Sequence, residues 1–163
     1  MFAEAAAHLG RELALRSIGV VTGGGRVGLM GVVADGALAA GGEVTGVIPR
    51  ALVEREVAHE GLTGLHVVET LHERKALMHE LSDAFIALPG GFGTLDELAE
   101  AVTWAQLGIH DKPIGILNVS GYFDSLLAFV GVAVESGFVD GANRGLVRAH
   151  TEVAALLAAL GCA

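Results

Sequence analysis

The chain has 163 residues, which suits a single domain with a sizeable core. Apolar residues make up 52% of it and charged residues only 18%, so it is not a disordered chain, and a partner subunit is expected to cover part of its surface. The formal net charge of −9 argues against a surface for nucleic acid or anionic membranes.

Apolar periodicity and glycine or proline positions divide the chain into alternating helices and strands. We expect helices at 2–16, 28–42, 71–82, 94–108, 121–137 and 151–161, and strands at 17–22, 43–50, 65–70, 83–88 and 112–119. Residues 50–64 are predicted to form a loop with some helix. The strands are short, apolar and uninterrupted, as strands of a parallel sheet covered on both faces should be.

This alternation predicts an α/β fold, with a doubly wound, Rossmann-like parallel sheet and helices on both faces. The expected organisation is one domain, residues 1–163. Folds of this class normally open on a strand, whereas this chain opens on a helix, so the usual N-terminal first strand is expected to be missing or replaced by another segment.

Several features favour a soluble, cytoplasmic protein. The start carries Glu4 and has no basic region like that of a signal peptide. No uncharged apolar run reaches the ~18 residues that a membrane helix needs. The single cysteine, Cys162, builds neither a disulfide framework nor a zinc cluster, and the histidines lack metal-site spacing. We therefore expect no metal and no cofactor.

A first glycine loop follows the first predicted strand. Gly23, Gly25 and Gly28 form G-x-G-x-x-G, with Gly24 between the first two. An NAD site would also need an acid at the end of the next strand, but Glu43 stands at the opposite end, where that strand begins. The loop therefore predicts contact with a phosphate or a ribose, and the alternative is that its glycines only allow close packing of helix and strand.

A second glycine loop, LPGGFGTLDE at 88–97, leads from a strand into a helix. Gly90, Gly91 and Gly93, around Phe92, can expose consecutive amides to an anion, and Thr94 adds a hydroxyl. Thr94 and Glu97 also fit the capping box S/T-x-x-E, in which Glu97 would fold back onto the helix end. The sequence alone leaves both interpretations open.

An arginine occupies an apolar stripe of the helix at 71–82. Leu71, Arg74, Met78 and Leu81 follow helical spacing, so Arg74 is expected to point inward while Glu73 and Glu80 face water. An inward arginine is costly unless it is paired or holds a ligand. Arg74, the second glycine loop and Glu97 are expected to share one pocket, and the alternative is a structural ion pair between Arg74 and Glu97.

These motifs resemble the cytokinin riboside 5′-monophosphate phosphoribohydrolase family, also called the lonely-guy family and often labelled lysine decarboxylases. Its Arg-Lys pair is Arg74–Lys75, and its P-G-G-x-G-T-x-x-E motif is 89–97. The resemblance continues through most of the chain, including GGGRVGLMG, GVIPRAL and WAQLGIHDKPIGILNV. The sequence departs from the family at the missing first strand and at Thr22, where an aromatic residue is common.

The resemblance implies hydrolysis of a nucleoside 5′-monophosphate at its N-glycosidic bond, to a free base and ribose 5-phosphate. It places the catalytic pair at Arg74 and Glu97. Nucleotide-binding positions would be Glu56, Lys75, Gly90, Gly91, Phe92, Gly93, Thr94 and Thr103, to which the sequence adds Gly23, Gly24 and Gly25. It also implies a homodimer with sites near the subunit interface. The alternative is a non-catalytic nucleotide or molybdenum-cofactor carrier on the same fold.

Overall fold

The computed structural model describes residues 1–53, 55 and 58–162. It divides the chain into two compact units, Met1–Ser82 and Asp83–Ala163. Each unit contains a parallel three-stranded sheet with helices, and the predicted α/β class is confirmed. Within the described part of the chain, no helix combines the length and apolarity required to cross a membrane.

The first unit alternates helices and strands from its start. Its elements are α1 (Phe2–Leu15), β1 (Val20–Thr22), α2 (Gly28–Ala39), β2 (Val44–Pro49), α3 (Arg50–Val53), β3 (Gly64–Val68) and α4 (Leu71–Leu81). The sheet has the order β1-β2-β3, with Val20 opposite Val44 and Thr45 opposite Gly64. The central strand β2 carries fully buried residues, Val44, Val47 and Ile48, as expected of a strand covered on both faces.

Helices α1 and α2 approach closely because glycines face the contact. A Cβ added at Gly10 would lie 2.8 Å from the backbone nitrogen of Ala37, and one at Gly36 would lie 3.0 Å from the Cα of Ala7. Both glycines therefore let the two backbones meet at distances that a side chain would prevent. This packing fixes α2, and with it the loop that precedes α2.

The second unit repeats the alternation with its own sheet. Its elements are β4 (Phe85–Ala87), α5 (Phe92–Gln106), β5 (Ile114–Leu117), a 3-10 turn (Val119–Gly121), α6 (Asp124–Glu135), a second 3-10 turn (Gly141–Gly145), β6 (Val147–His150) and α7 (Val153–Ala159). The order is β4-β5-β6, all parallel. The sequence did not predict β6, because its Arg148 and His150 break the apolar pattern seen in the other strands.

Candidate active site

The first glycine loop follows β1 and is buried at Gly23, Gly24 and Gly25. The Thr22 hydroxyl accepts a hydrogen bond from the Gly24 amide (3.2 Å), and the Gly24 carbonyl accepts one from the His59 amide (3.1 Å). Gly24 has φ +76°, a backbone conformation that favours glycine. The loop is therefore held in a defined conformation from two sides.

Arg74 lies directly against this loop. A Cβ built on Gly23 would lie 2.7 Å from the Cζ of Arg74 and 3.1 Å from its Nε, so the guanidinium occupies the space that a side chain at position 23 would need. The absent side chain at Gly23 thus makes room for the arginine. This proximity of the Gly23 backbone to the Arg74 side chain was not predicted from the pattern of the first glycine loop.

The predicted apolar stripe around Arg74 is wrong in part. Leu71 is 55% exposed and Leu81 is 41% exposed, whereas Arg74 itself is half-buried. Glu73 and Glu80 face water, as expected. The Arg74 guanidinium therefore has the backbone of the first glycine loop as a neighbour, and Leu71 and Leu81 do not form a buried row beside it.

Helix α4, which carries Arg74, begins with Thr70 as a side-chain N-cap, and the Glu73 side chain folds back onto the residue before that cap. The Thr70 side chain accepts a hydrogen bond from the Glu73 amide (3.1 Å), and Glu73 Oε2 accepts one from the Glu69 amide (2.8 Å). Glu69 also forms an ion pair with Arg50 (3.0 Å), at the carboxyl ends of β3 and β2. These bonds fix the first turn of α4 and so the place where the Arg74 side chain starts.

His59 connects the segment before β3 to the rest of this unit. Its side chain is buried, with Nε2 2.8 Å from Oδ1 of Asp35 on α2, and its Nδ1 accepts from the Gly61 amide (3.2 Å). Because Nδ1 is an acceptor, the ring proton sits on Nε2 and is donated to Asp35. Together with the bond from its amide to Gly24, His59 anchors this segment to the glycine loop.

In the second unit, α5 begins inside the segment LPGGFGT, at Phe92, with Gly91 as its N-cap. The Leu95 amide bonds the Gly91 carbonyl (3.2 Å), so Thr94 lies within the first turn of the helix. Of the two interpretations that the sequence left open, Thr94 as the N-cap is not the one formed, because the helix starts before Thr94 and has Gly91 as its N-cap. The amides of Phe92, Gly93 and Thr94 precede the first helical bond and face outward from the N-terminus, where an anion is favoured.

The side chains around this loop leave its backbone accessible. Phe92 is 92% exposed, and an added Cβ at Gly91 or Gly93 would meet nothing within 4 Å. At Gly90 the Thr94 side chain leaves no room for a Cβ, since the Thr94 Cβ would be 3.0 Å away. The Tyr122 hydroxyl donates a hydrogen bond to the Gly90 carbonyl (2.7 Å). The second glycine loop thus has solvent-accessible residues at 91–93, while the Tyr122 hydroxyl holds its backbone at Gly90.

Among the described residues, no group of three or more His, Cys, Asp or Glu side chains is arranged to hold a metal ion.

Comparison with known proteins identifies the family. The chain is 53% identical to the cytokinin riboside 5′-monophosphate phosphoribohydrolase LOG4 of Arabidopsis thaliana over 146 residues, which cover 90% of this chain and 68% of the relative. The chain belongs to this phosphoribohydrolase family. A second relative, LOG of Oryza sativa subsp. japonica, is 50% identical over 151 residues, covering 92% of this chain and 62% of that protein. A family model described as a possible lysine decarboxylase matches residues 30–160.

Solved structures that resemble this phosphoribohydrolase-family chain share its fold. The molybdenum cofactor carrier protein MCP of Chlamydomonas reinhardtii has a TM-score of 0.73 at 24% identity, covering 98% of this chain and 86% of that chain. The molybdenum cofactor binding protein of the phototrophic bacterium Rippkaea orientalis also has a TM-score of 0.73, at 23% identity with the same coverage. At these identities the likeness concerns the fold alone and carries no information on ligands.

The residues of the phosphoribohydrolase motifs lie on both units. Arg74 and Lys75 are half-buried on α4, Glu97 is half-buried on α5, and Thr103 is exposed further along α5. Glu56 lies outside the described residues. Within each unit the structure brings together residues that the sequence predicted separately, namely Gly23 with Arg74 and Gly90 with Thr94.

Three residues that hold the glycine loops or the start of α4 were not predicted from the sequence. They are Thr70, His59 and Tyr122. Thr70 had a visible signal, because Thr70-Leu-His-Glu73 fits the capping-box pattern directly before a helix. His59 and Tyr122 had no such signal, because each forms its hydrogen bond with a residue distant in the sequence. The partner of His59 is Asp35, and the partner of Tyr122 is Gly90.

Proposed function

We propose that this chain hydrolyses the N-glycosidic bond of nucleoside 5′-monophosphates, either cytokinin riboside 5′-monophosphates such as N6-modified AMP or AMP itself. Water adds to C1′ of the ribose, the bond from C1′ to the base nitrogen breaks, and the products are a free base and ribose 5-phosphate. The observation that carries the proposal is that relatives sharing about half of their residues with this chain are named for this activity.

The second glycine loop is the proposed phosphate site. Its Gly91, Phe92, Gly93 and Thr94 amides belong to the loop and the first turn of α5, where the helix dipole adds to the attraction of a 5′-phosphate. The Thr94 hydroxyl lies on the same turn. The net charge of −9 makes such a local, amide-based anion site more suitable than a broad basic surface.

Glu97 and Arg74 are the proposed catalytic residues. Glu97 follows the proposed phosphate site by one turn of α5, so its carboxylate can stabilise positive charge on the ribose as the bond breaks, or take a proton from the attacking water. Arg74 supplies a guanidinium whose position is fixed by Gly23 and by the capped start of α4. A fixed cation is suited to hold an anionic group of the nucleotide in one orientation.

Further substrate contacts are proposed at Lys75, Thr103, Glu56 and the loop Gly23–Gly25, at the positions that match the family motifs or adjoin Arg74. We further propose that the protein is a cytoplasmic homodimer. A single cysteine suits a reducing compartment, and exposed apolar side chains such as Phe129, Val132 and Phe138 suit a surface covered by a second subunit.

The test is direct detection of released base. The protein is incubated with AMP, with N6-isopentenyl-AMP and with the two nucleosides that lack the phosphate, and the products are separated by chromatography. Base is expected from the monophosphates and at a far lower rate from the nucleosides. A folded protein that releases no base from either monophosphate would contradict the proposal, and molybdenum cofactor retained through purification would favour the carrier function instead.

A further inference from the structure

The turn that follows β5 has an unusual backbone. Ser120 has φ +54° and Gly121 has φ +72°, so two consecutive residues are in the left-handed region. Such a conformation at a non-glycine residue is costly and persists only where the surrounding structure imposes it. The turn lies at the carboxyl end of a central strand, the edge of a parallel sheet where ligands bind in folds of this class.

A buried asparagine imposes this conformation. The Asn118 side chain accepts a hydrogen bond from the Phe123 amide (2.8 Å) and donates one to Oδ1 of Asp124 (2.7 Å). Gly121 makes room for the same carboxylate, because a Cβ there would lie 2.5 Å from Oδ2 of Asp124. Asn118 therefore ties both ends of the turn together from inside.

The turn is also anchored to the core beneath the second glycine loop. Phe123 is buried in a cluster with Ala87 at the end of β4 and Ile116 on β5. Since β4 leads directly into LPGGFGT, the turn and the loop rest on the same packed side chains. The position of Tyr122, between the strained residues and Phe123, is thus set relative to the loop.

Tyr122 uses this position to contact the loop backbone. Its ring packs edge-on against Phe123, with centroids 5.1 Å apart and an interplanar angle of 85°, and its hydroxyl reaches the Gly90 carbonyl (2.7 Å). The side chain is 48% exposed, so this bond adds little to global stability. A strained turn that presents an exposed tyrosine to the backbone of the second glycine loop points to a role in the site.

The bond controls one peptide unit. The carbonyl of Gly90 and the amide of Gly91 belong to the same planar group and point in opposite directions. Both flanking residues are glycines, whose permissive dihedral angles allow this peptide to flip. When Tyr122 holds the Gly90 carbonyl, the Gly91 N–H is directed away from Tyr122, in a fixed orientation.

We propose that Tyr122 is a positioning residue for the phosphate-binding loop: its hydroxyl locks the Gly90–Gly91 peptide so that the Gly91 amide joins those of Phe92 and Gly93 in facing the 5′-phosphate. This inference rests on the proposed function of the loop. On this proposal, the turn after β5 sets the affinity for the phosphate. Tyr122 takes no part in breaking the glycosidic bond.

The test compares Tyr122→Phe with Ser125→Ala, a control that removes an exposed hydroxyl from nearby α6. For Tyr122→Phe we expect the KM for the monophosphate to rise about fivefold, the effect of one lost hydrogen bond, with kcat and Tm unchanged. The Gly91 amide resonance in the free protein should shift or broaden, and its response to added ribose 5-phosphate should weaken. Ser125→Ala should leave KM, kcat, Tm, the Gly91 amide resonance and its response to ribose 5-phosphate unchanged.

Two results would overturn the inference. One is a Tyr122→Phe variant with unchanged KM and an unchanged Gly91 amide. The other is a general loss of Tm with kcat and KM altered together, which would indicate a structural role. If the wild-type protein releases no base, the proposed function fails, while the amide signals and ribose 5-phosphate binding still decide whether Tyr122 orients the loop.

Discussion

The guanidinium of Arg74 lies in the space next to Gly23 that any larger residue at position 23 would occupy. Gly23→Ala is therefore expected to displace the arginine and lower kcat about a hundredfold, as a misplaced catalytic group does. Stability should change little, because the end of an arginine side chain can move and the Gly23 backbone has no positive φ. Turnover assays and urea unfolding measure the two effects.

Gly131→Ala is the matched control for that substitution. Gly131 lies within α6 with nothing inside 4 Å of an added Cβ, so alanine should raise stability by about 0.5–1 kcal/mol without changing turnover. If Gly23→Ala retained full kcat, the contact with Arg74 would have no catalytic meaning. If it unfolded the protein instead, the glycine would serve packing alone.

Glu97→Gln is expected to bind the nucleotide but release no base. The amide keeps the size of the carboxylate, so the loop and α5 should be unchanged, whereas neither charge stabilisation at C1′ nor proton transfer remains. Binding is measured by calorimetry with AMP and turnover by product chromatography. Asp96→Asn, which neutralises the exposed neighbouring acid, should keep its turnover, and substantial base release by Glu97→Gln would remove Glu97 from the mechanism.

Two threonines in nearly identical segments should behave differently. Thr70→Ala removes the N-cap of α4 and should cost about 1 kcal/mol of stability. Thr94 caps nothing, because α5 starts at Phe92, so Thr94→Ala should leave stability nearly unchanged and instead raise the KM of the monophosphate. Urea unfolding and kinetics are measured on both variants, and each variant serves as the control for the other. An equal loss of stability in the two would contradict the conclusion that Thr70 is an N-cap and Thr94 is not.

The same pair shows where the sequence is informative and where it is not. Thr70-Leu-His-Glu73 and Thr94-Leu-Asp-Glu97 fit one capping pattern, yet only in the first does the threonine become the N-cap, because α5 already begins at Phe92, two residues before Thr94. The alternating apolar strands and helices were sufficient to predict the α/β class and most elements. Local patterns did not show which of two equally good caps is used.

Other differences have comparable physical causes. The inward placement of Leu71 and Leu81 followed from helical spacing, but periodicity assumes that the whole face is covered, and the two leucines at the ends of this stripe are exposed. Strand β6 was missed because backbone pairing with β5 stabilises it despite a polar sequence. The contact between Gly23 and Arg74 joins positions 51 residues apart, beyond what either motif specifies alone.

The packing of α1 on α2 supports a last prediction, on stability. Gly10 lies in the middle of α1, where alanine would normally favour the helix by about 0.5–1 kcal/mol. Here the added Cβ would lie 2.8 Å from the Ala37 nitrogen and would also meet the Val33 carbonyl, and backbone atoms cannot yield as a side chain does. Gly10→Ala should therefore lower stability by about 1–3 kcal/mol, the usual cost of overpacking.

Urea unfolding of Gly10→Ala and Gly131→Ala separates crowding from helix propensity, since both place alanine inside a helix and only the first meets a neighbouring backbone. Opposite signs of the two changes are expected. Because α2 follows the first glycine loop, Gly10→Ala should also loosen that loop, seen as faster amide exchange at Gly24 and Gly25 than in the control. A Gly10→Ala variant as stable as Gly131→Ala would mean that the two helices can move apart freely, and that their contact does not hold the loop beside Arg74.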